Sequence, residues 1–179
     1  GQDIVLGGIG KDLLRGGEGD DWLDGGDGND RVVGGSGEDV LIDGLGADRL
    51  EGRTGDDTIV LLADATTDRV QIRDEDVGEG VDLVRGFDTS ASERGGDVLD
   101  LRDIAESSFL AAEDGDDVLL FADRGAETGP VRIARVEAAD LDDLLDDNIL
   151  TPEGVTVTPT TLDALNVEAL VPLDPSAIA

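Results

Sequence analysis

Residues 16–33 read GGEGDDWLDGGDGNDRVV, two nine-residue blocks laid end to end. Each block opens with paired glycines, adds a third glycine two places on, and carries an aspartate at its sixth position. Outward from this stretch the register holds without a slip, with blocks beginning at Gly7, Gly16, Gly25, Gly34, Asp43 and Gly52. The sixth position is Asp12, Asp21, Asp30, Asp39, Asp48 and Asp57, and the fourth is Gly10, Gly19, Gly28, Gly37, Gly46 and Gly55. The eighth is always aliphatic: Leu14, Leu23, Val32, Leu41, Leu50 and Ile59. The opening GQDIVL fits as a truncated earlier block, with Gly1 fourth and Asp3 sixth. Such an unbroken period marks an internal repeat, and repeats of this kind build solenoids.

Elementary chemistry accounts for the spacing. Three glycines in six residues make a turn that uses positive φ and exposes backbone carbonyls. The three residues after the aspartate, one of them a constant aliphatic, make a short strand that points that side chain inward. Two turn–strand units complete one coil, so eighteen residues advance the chain by one strand spacing, about 4.8 Å. Aspartates eighteen apart then stack on one edge, where they repel unless a hard cation lies between them. Calcium suits that gap, since it takes about six to eight oxygen ligands in flexible geometry, while magnesium demands a tight octahedron. A disordered, solvated Gly/Asp tract is the competing description and is the one expected without calcium. Disorder gives no reason for an invariant aliphatic eighth position, which favours a fold once calcium is present. Trp22, at the seventh position, faces outward in this register and reads as a surface or cap-packing residue.

The blocks resemble the RTX, or hemolysin-type calcium-binding, nonapeptide family, whose motif is GGxGxDxUx. The resemblance covers residues 1 to 60 and implies an all-β, right-handed parallel β-roll with calcium held between turns on the same side. It implies ligand sets of two backbone carbonyls and an Asp from one block, with two carbonyls and an Asp from the block two further on. One site is then Gly8, Gly10 and Asp12 with Gly25, Asp27 and Asp30, and a second is Gly17, Gly19 and Asp21 with Gly34, Ser36 and Asp39. A third is Gly26, Gly28 and Asp30 with Asp43, Leu45 and Asp48, and a fourth is Gly35, Gly37 and Asp39 with Gly52, Thr54 and Asp57. A fifth, between Gly1 and Asp3 and the Gly16/Glu18/Asp21 turn, lacks its first glycine. The resemblance therefore implies about four to five calcium ions in the roll. Asp43 and Arg53 depart from the paired glycines. After Ile59 the motif dissolves, and LLADATTDR (61–69) has no glycine, leaving Asp64 as an irregular closing ligand at most. On this reading the roll ends there.

Composition bounds the rest. The 179 residues carry 44 acidic and 13 basic side chains, a net charge of −31. Self-repulsion of this size opposes any compact state unless counter-ions sit on it. Cations are the expected partners, and neither nucleic acid nor insertion into a membrane is expected. Cys, His, Tyr and Met are absent, which removes thiol and imidazole nucleophiles, Cys/His zinc sites and disulfides. No apolar run approaches the roughly 18 residues of a membrane span, and no signal-peptide pattern stands at the front. Residues 1–60 hold 15 of the acidic and 5 of the basic residues, so most of the negative charge lies beyond the repeats. A solvated acidic face that keeps the chain soluble explains that excess.

Residues 61–150 keep strand-like runs, RVQIR, VDLVRGF, DVLDL, DVLLFA and VRIARV, separated by Gly, Asp and Ser clusters as in a β-rich domain. LDDLLDD (141–147) spaces Leu141, Leu144 and Leu145 on one helical face, with Asp140 placed to cap it. A solenoid's open end exposes apolar side chains and unpaired backbone, so a β-rich capping domain with a short helix is expected over 61–150. The run from Gly80 to Ile104 resembles the C-terminal segment of proteins exported by type I secretion. In that segment a D-x-I-x-x-F element (here Asp82, Val84, Phe87) precedes a G-D-x-L-D-L-S element (Gly96, Asp97, Leu99, Asp100, Leu101, with Arg102 in place of Ser). GVD (80–82) and GDD (115–117) are half-motifs that could hold further ions. The stretch 151–179 holds four of the five prolines and reads as a tail, with TLDALNVEAL a short amphipathic helix or an uncleaved secretion signal.

The resemblance implies a calcium-binding module that folds outside the cell and serves as the C-terminal secretion and folding region of a larger exported protein. Its partners are calcium and, in transit, the type I secretion machinery, and its location is extracellular or at the cell surface. The alternative is a calcium-dependent adhesion or surface-layer module that binds cell-surface polysaccharide, which the lack of an aromatic sugar platform weakens. No catalytic constellation is evident, so the expectation is a non-enzyme whose parent carries any catalytic domain before residue 1. The absent initiator Met and the opening inside a repeat point the same way.

Overall fold

The computed structural model describes residues 1–90, 96–105, 108–123, 130–137, 139, 141–153 and 155–161. Six strands of six residues occupy the repeats: β1 (Ile4–Ile9), β2 (Leu13–Glu18), β3 (Trp22–Asp27), β4 (Arg31–Ser36), β5 (Val40–Leu45) and β6 (Arg49–Thr54). Each begins just after the sixth-position aspartate and runs on through the next block's paired glycines, so the strand is longer than the three residues expected. The fourth and fifth positions of that next block make the turn. Odd strands pair in parallel in one sheet and even strands in the other. Partners stand eighteen residues apart, as with Ile4, Trp22 and Val40 or Leu13 and Arg31. Two nonapeptides per coil are thus confirmed.

The sheets do not stop at residue 60. Shorter strands β7 (Thr58–Val60), β8 (Arg69–Gln71), β9 (Asp82–Arg85) and β10 (Val98–Asp100) continue them in parallel register. Insertions lengthen the coils, so aligned residues there stand 20, 25 and 29 apart. The even sheet ends on β14 (Ile149–Leu150), which follows helix α1 (Leu141–Asp147). The odd sheet passes from β9 to the antiparallel strands β11 (Phe109–Asp114), β12 (Asp117–Asp123) and β13 (Pro130–Val136), and ends on β15 (Val157–Pro159). The expected strand runs and the helix are found, whereas β11, β14 and β15 went unforeseen because none alternates clearly. Asp140 and residues 162–179, with the anticipated cap and tail helix, lie outside the described residues.

The core is a pair of aliphatic columns, one per sheet. Leu14, Val32, Leu50, Val70, Leu99 and Ile149 align across the even sheet, and Val5, Leu23, Leu41, Ile59, Val84 and Val136 across the odd one. The eighth-position side chains are buried, most of them completely. One aliphatic per nine residues is a thin core, and it thickens only in the cap, where Phe109, Leu120, Leu101 and Leu144 pack. On the outer face of the even sheet, buried Glu51 is paired with Arg31, Arg53 and Arg73 at 2.9, 2.9 and 2.6 Å.

The repeat glycines are fixed by the approach of neighbouring coils. Gly28 has φ +154°, and a Cβ there would penetrate the Gly10 carbonyl oxygen. Gly10 has a similar positive φ (+133°), yet a Cβ on it would meet nothing. Gly10→Ala should therefore cost only the backbone strain, about 1–2 kcal/mol. Gly28→Ala, which must also separate two coils, should cost several times as much. Thermal unfolding in saturating calcium checks the difference, and equal losses would contradict this packing.

Candidate metal centre

Each sixth-position aspartate sits at the entry to a strand, so parallel stacking turns the repeat into two columns of carboxylates. One column is Asp12, Asp30 and Asp48 and continues beyond the repeats to Asp68 and Asp97. The other is Asp3, Asp21, Asp39 and Asp57 and continues to Asp82. Within each column the backbone N–H of one aspartate donates to Oδ1 of the next. The distances are 2.7, 2.6, 2.8 and 3.0 Å along the first column and 2.7, 2.8, 2.9 and 3.4 Å along the second. All but the first member of each column are buried.

Oδ1 is thereby satisfied and Oδ2 is not. The Oδ2 atoms of Asp12, Asp21, Asp30, Asp39, Asp48 and Asp57 are buried without a hydrogen-bond partner. Buried unsatisfied oxygens are rare in native proteins, and a repeated set of them points to something that is bound there. In the Asp21, Asp39 and Asp57 column the first glycine leaves room beside that oxygen, since a Cβ on Gly16, Gly34 or Gly52 would collide with it, and in the other column a Cβ on Gly7 or Gly25 would strike the carbonyl of the next coil. Second- and fourth-position glycines, with φ from +92° at Gly26 to +154° at Gly28, turn the backbone so tightly that coils touch carbonyl to glycine. Third-position carbonyls of Asp27, Ser36, Leu45 and Thr54 each accept one backbone N–H at 2.7–3.0 Å, which leaves each a free lone pair. An all-oxygen donor set of carboxylates and carbonyls matches calcium.

Electrostatics separates these carboxylates from the ones the chain neutralises itself. Burial works against charge at Glu51, but hydrogen bonds from Arg31 and Arg73 outweigh it and hold that carboxyl below the ordinary glutamate range. Asp100 is likewise buried, yet Arg102 and Arg69 bring it down to about 2. Among the described residues, the buried column aspartates form no ion pair. Desolvation, reinforced by neighbouring carboxylates, raises Asp48, Asp57 and Asp97 to about 7 and Asp43 beside them also to about 7. Asp39 and Asp68 rise for the same reasons, and Asp82 rises well above the usual carboxylate range. Arginines pair directly with Glu51 and Asp100, and among the described residues none pairs with a buried column aspartate.

The family model described as the RTX calcium-binding nonapeptide repeat (4 copies) matches residues 6–41 and 33–67. These residues are RTX calcium-binding repeats. No curated protein sequence matches the chain. Among solved structures it is similar to the AlgE6R2 subunit of the Azotobacter vinelandii mannuronan C5-epimerase, at 23% identity and TM-score 0.43, covering 86% of this chain and 95% of that one. The AlgE6R3 subunit of the same enzyme is similar at 23% identity and TM-score 0.31, covering 80% of each chain.

The RTX roll thus carries carboxylate columns longer than its motif. Asp68, Asp82 and Asp97 were not placed in the columns by spacing, because the coils there are lengthened. What survives is the second half of the motif: DRVQ (68–71), DLVR (82–85) and DVLD (97–100) keep aspartate, aliphatic and strand after the glycines are lost. In the sequence Asp82 belongs to the GVD half-motif and the D-x-I-x-x-F element, and Asp97 to the G-D-x-L-D-L-S element, neither of which places it in a column. Asp64, the suggested irregular closing ligand, accepts Gly46 N–H at 2.8 Å and both the Thr66 N–H and its hydroxyl, which forms a local turn. In the GDD half-motif, Asp117 pairs with Arg135 across the β12–β13 ladder. Beside the end of the first column Asn148 is buried, and its amide donates to the Asp97 carbonyl at 2.7 Å. Asp3 is exposed at the far end.

A carboxyl whose folded pKa is raised holds a proton that the unfolded chain has already released. Its contribution is therefore fully present below the unfolded value of 3.8 and is lost as pH rises through about 7. Without calcium, the RTX roll should gain stability as pH falls from 7.5 towards 5. With calcium the trend should reverse, because protons and the ion compete for the same oxygens. The far-ultraviolet β signal in chelator and the denaturant midpoint in calcium, each followed against pH, check the two signs.

Proposed function

We propose that the chain is a calcium-driven folding module which serves as the secretion and folding region of a larger exported protein. The observation that carries this reading is the repeated, buried and unpartnered Oδ2 along both edges of the roll. Each ion would take the Asp and glycine carbonyls of one block and the Asp and carbonyls of the block two further on. That arrangement gives sets such as Gly17, Gly19 and Asp21 with Gly34, Ser36 and Asp39. The glycines shape the cradle, the carboxylates supply charge, and calcium supplies the attraction that a thin core lacks.

Extracellular calcium modules bind with Kd of about 10⁻⁴–10⁻³ M, far above the cytosolic free concentration. Inside the cell, repulsion along the columns and glycine entropy would keep the chain unfolded and exportable. Outside, at tenfold Kd, each site contributes about 1.4 kcal/mol, and four or five sites roughly 6 to 7 kcal/mol. That is comparable to the whole stability of an ordinary domain. The cap, joined to the roll by continuous sheets, would template it from residue 61 backwards. Among the described residues no helix is long and apolar enough to cross a membrane.

A calcium titration followed by far-ultraviolet circular dichroism tests this reading. A cooperative gain of β signal in the sub-millimolar to millimolar range, absent with magnesium, is expected. A chain already folded in chelator would contradict it.

One observation favours adhesion to an acidic polysaccharide as a second reading. On this chain of net charge −31, four basic side chains, Lys11, Arg31, Arg49 and Arg69, line one groove of the even sheet together with Asp30 and Asp48. Retention on an acidic glycan column that is lost in Arg49→Ala would support it, and no retention in calcium would count against it.

A further inference from the structure

The fifth block begins with Asp43, where the other five full blocks begin with glycine, and that side chain is fully buried. In the flanking blocks a Cβ at the first position would lie 2.4 and 2.3 Å from Oδ2 of the block's own aspartate, at Gly34 and Gly52, and one coil back in the same column a Cβ on Gly25 would lie 3.1 Å from Asp30 Oδ2. Block five therefore sends a second carboxylate toward the place that other blocks keep clear. Asp48 Oδ2 is buried there without a hydrogen-bond partner. Asp68, from the first coil beyond the repeats, completes the group and accepts the Asp48 N–H on Oδ1 at 2.8 Å. One oxygen from each of the three lies within 4.8 Å of the other two.

We propose that Asp43, Asp48 and Asp68 hold a calcium ion of their own, tighter than the glycine-cradled sites and seated where the last coil of the repeats meets the cap. The buried Asp48 oxygen lacks a partner in a cluster that offers only oxygen donors and no basic side chain. Asp43 is preorganised, since its carboxylate accepts Gly44 N–H at 2.5 Å and Leu62 N–H at 3.0 Å. Asp64 also faces the group, but its oxygens are engaged by Gly46 and Thr66. Oxygens separated by up to 4.8 Å fit around one ion with calcium–oxygen distances of about 2.3–2.6 Å.

Charge sets the order of filling. A repeat site offers two carboxylates and neutral carbonyls, whereas this one offers three carboxylates, and calcium affinity rises with ligand charge. The ion would enter first and tie the glycine-free coil 61–69 onto β5 and β6, giving the roll a seam from which to stack. None of its side chains depends on the glycine carbonyls, and Asp68 lies beyond the matched repeat segment. The inference rests on the roll reading for Asp48 and for the Asp43 carbonyl, which serve the third repeat site, and goes beyond it in the Asp43 carboxylate and in Asp68.

Calorimetric calcium titration of the full chain, stripped of metal, tests it in the wild type and in Asp43→Asn, Asp68→Asn and Asp21→Asn. One ion should bind ahead of the rest. Asp43→Asn and Asp68→Asn should each weaken that first ion by about tenfold or more while the later ions persist. Asp21→Asn, in the other column, should weaken later ions and leave the first unchanged. A first ion unmoved by both Asp43→Asn and Asp68→Asn, or a single class of sites in the wild type, would overturn the proposal. Absence of the later class alone would count instead against the repeat sites. If Asp68→Asn does not fold even in excess calcium, Asp43→Asn and Asp43→Gly, which restores the glycine that most blocks use, decide the matter.

Discussion

A buried carboxylate with no countercharge is the constraint on which the whole roll depends. Every nonapeptide contributes one, and parallel stacking aligns them into columns instead of dispersing them. One oxygen of each is bound by the backbone of the preceding coil, which holds the geometry even as the charges oppose it. The other oxygen is left inside the protein with nothing to accept from. The same chain neutralises Glu51 and Asp100 with arginines a few ångströms away. The columns are thus specific sites of missing positive charge.

The glycines serve that constraint twice. At the first position they leave space beside the orphaned oxygen, and at the second and fourth they allow coils to approach until glycine meets carbonyl. Both roles reduce what the chain can gain from its core. With one inward aliphatic per block, the repeats bury little, and three glycines per block make ordering costly. A structure so arranged is poised between an unfolded chain and a folded one, with the balance set by whatever occupies its edges. The cap relieves the imbalance at one end by extending the aliphatic columns through Val70, Val84, Leu99 and Val136 to a denser core of phenylalanines and leucines.

Much of this was legible in the residues. The period, the eighteen-residue coil, the inward aliphatics and the stacked aspartates all follow from spacing, because each is local or repeats without interruption. The helix at Leu141–Asp147 was legible for the same reason. Asp68, Asp82 and Asp97 were not, since the coils lengthen and position no longer counts in nines. They could still be found by their D-x-aliphatic half-motif. The sheets continue past Val60 for the same reason: losing the glycines changes the turn and leaves the parallel coil intact. The Asp43 cluster needed three dimensions, because Asp43 and Asp68 are brought together by a coil of irregular length.

The central claim is that cations sit against the orphaned oxygens along both edges. A crystal structure of the calcium-loaded chain, with anomalous differences collected at long wavelength, tests it most directly. Peaks within calcium–oxygen bonding distance of Oδ2 along the Asp12–Asp30–Asp48 and Asp21–Asp39–Asp57 columns are the predicted result. Well-ordered columns with no such peaks, each carboxyl short enough to its neighbour to share a proton, would contradict the account.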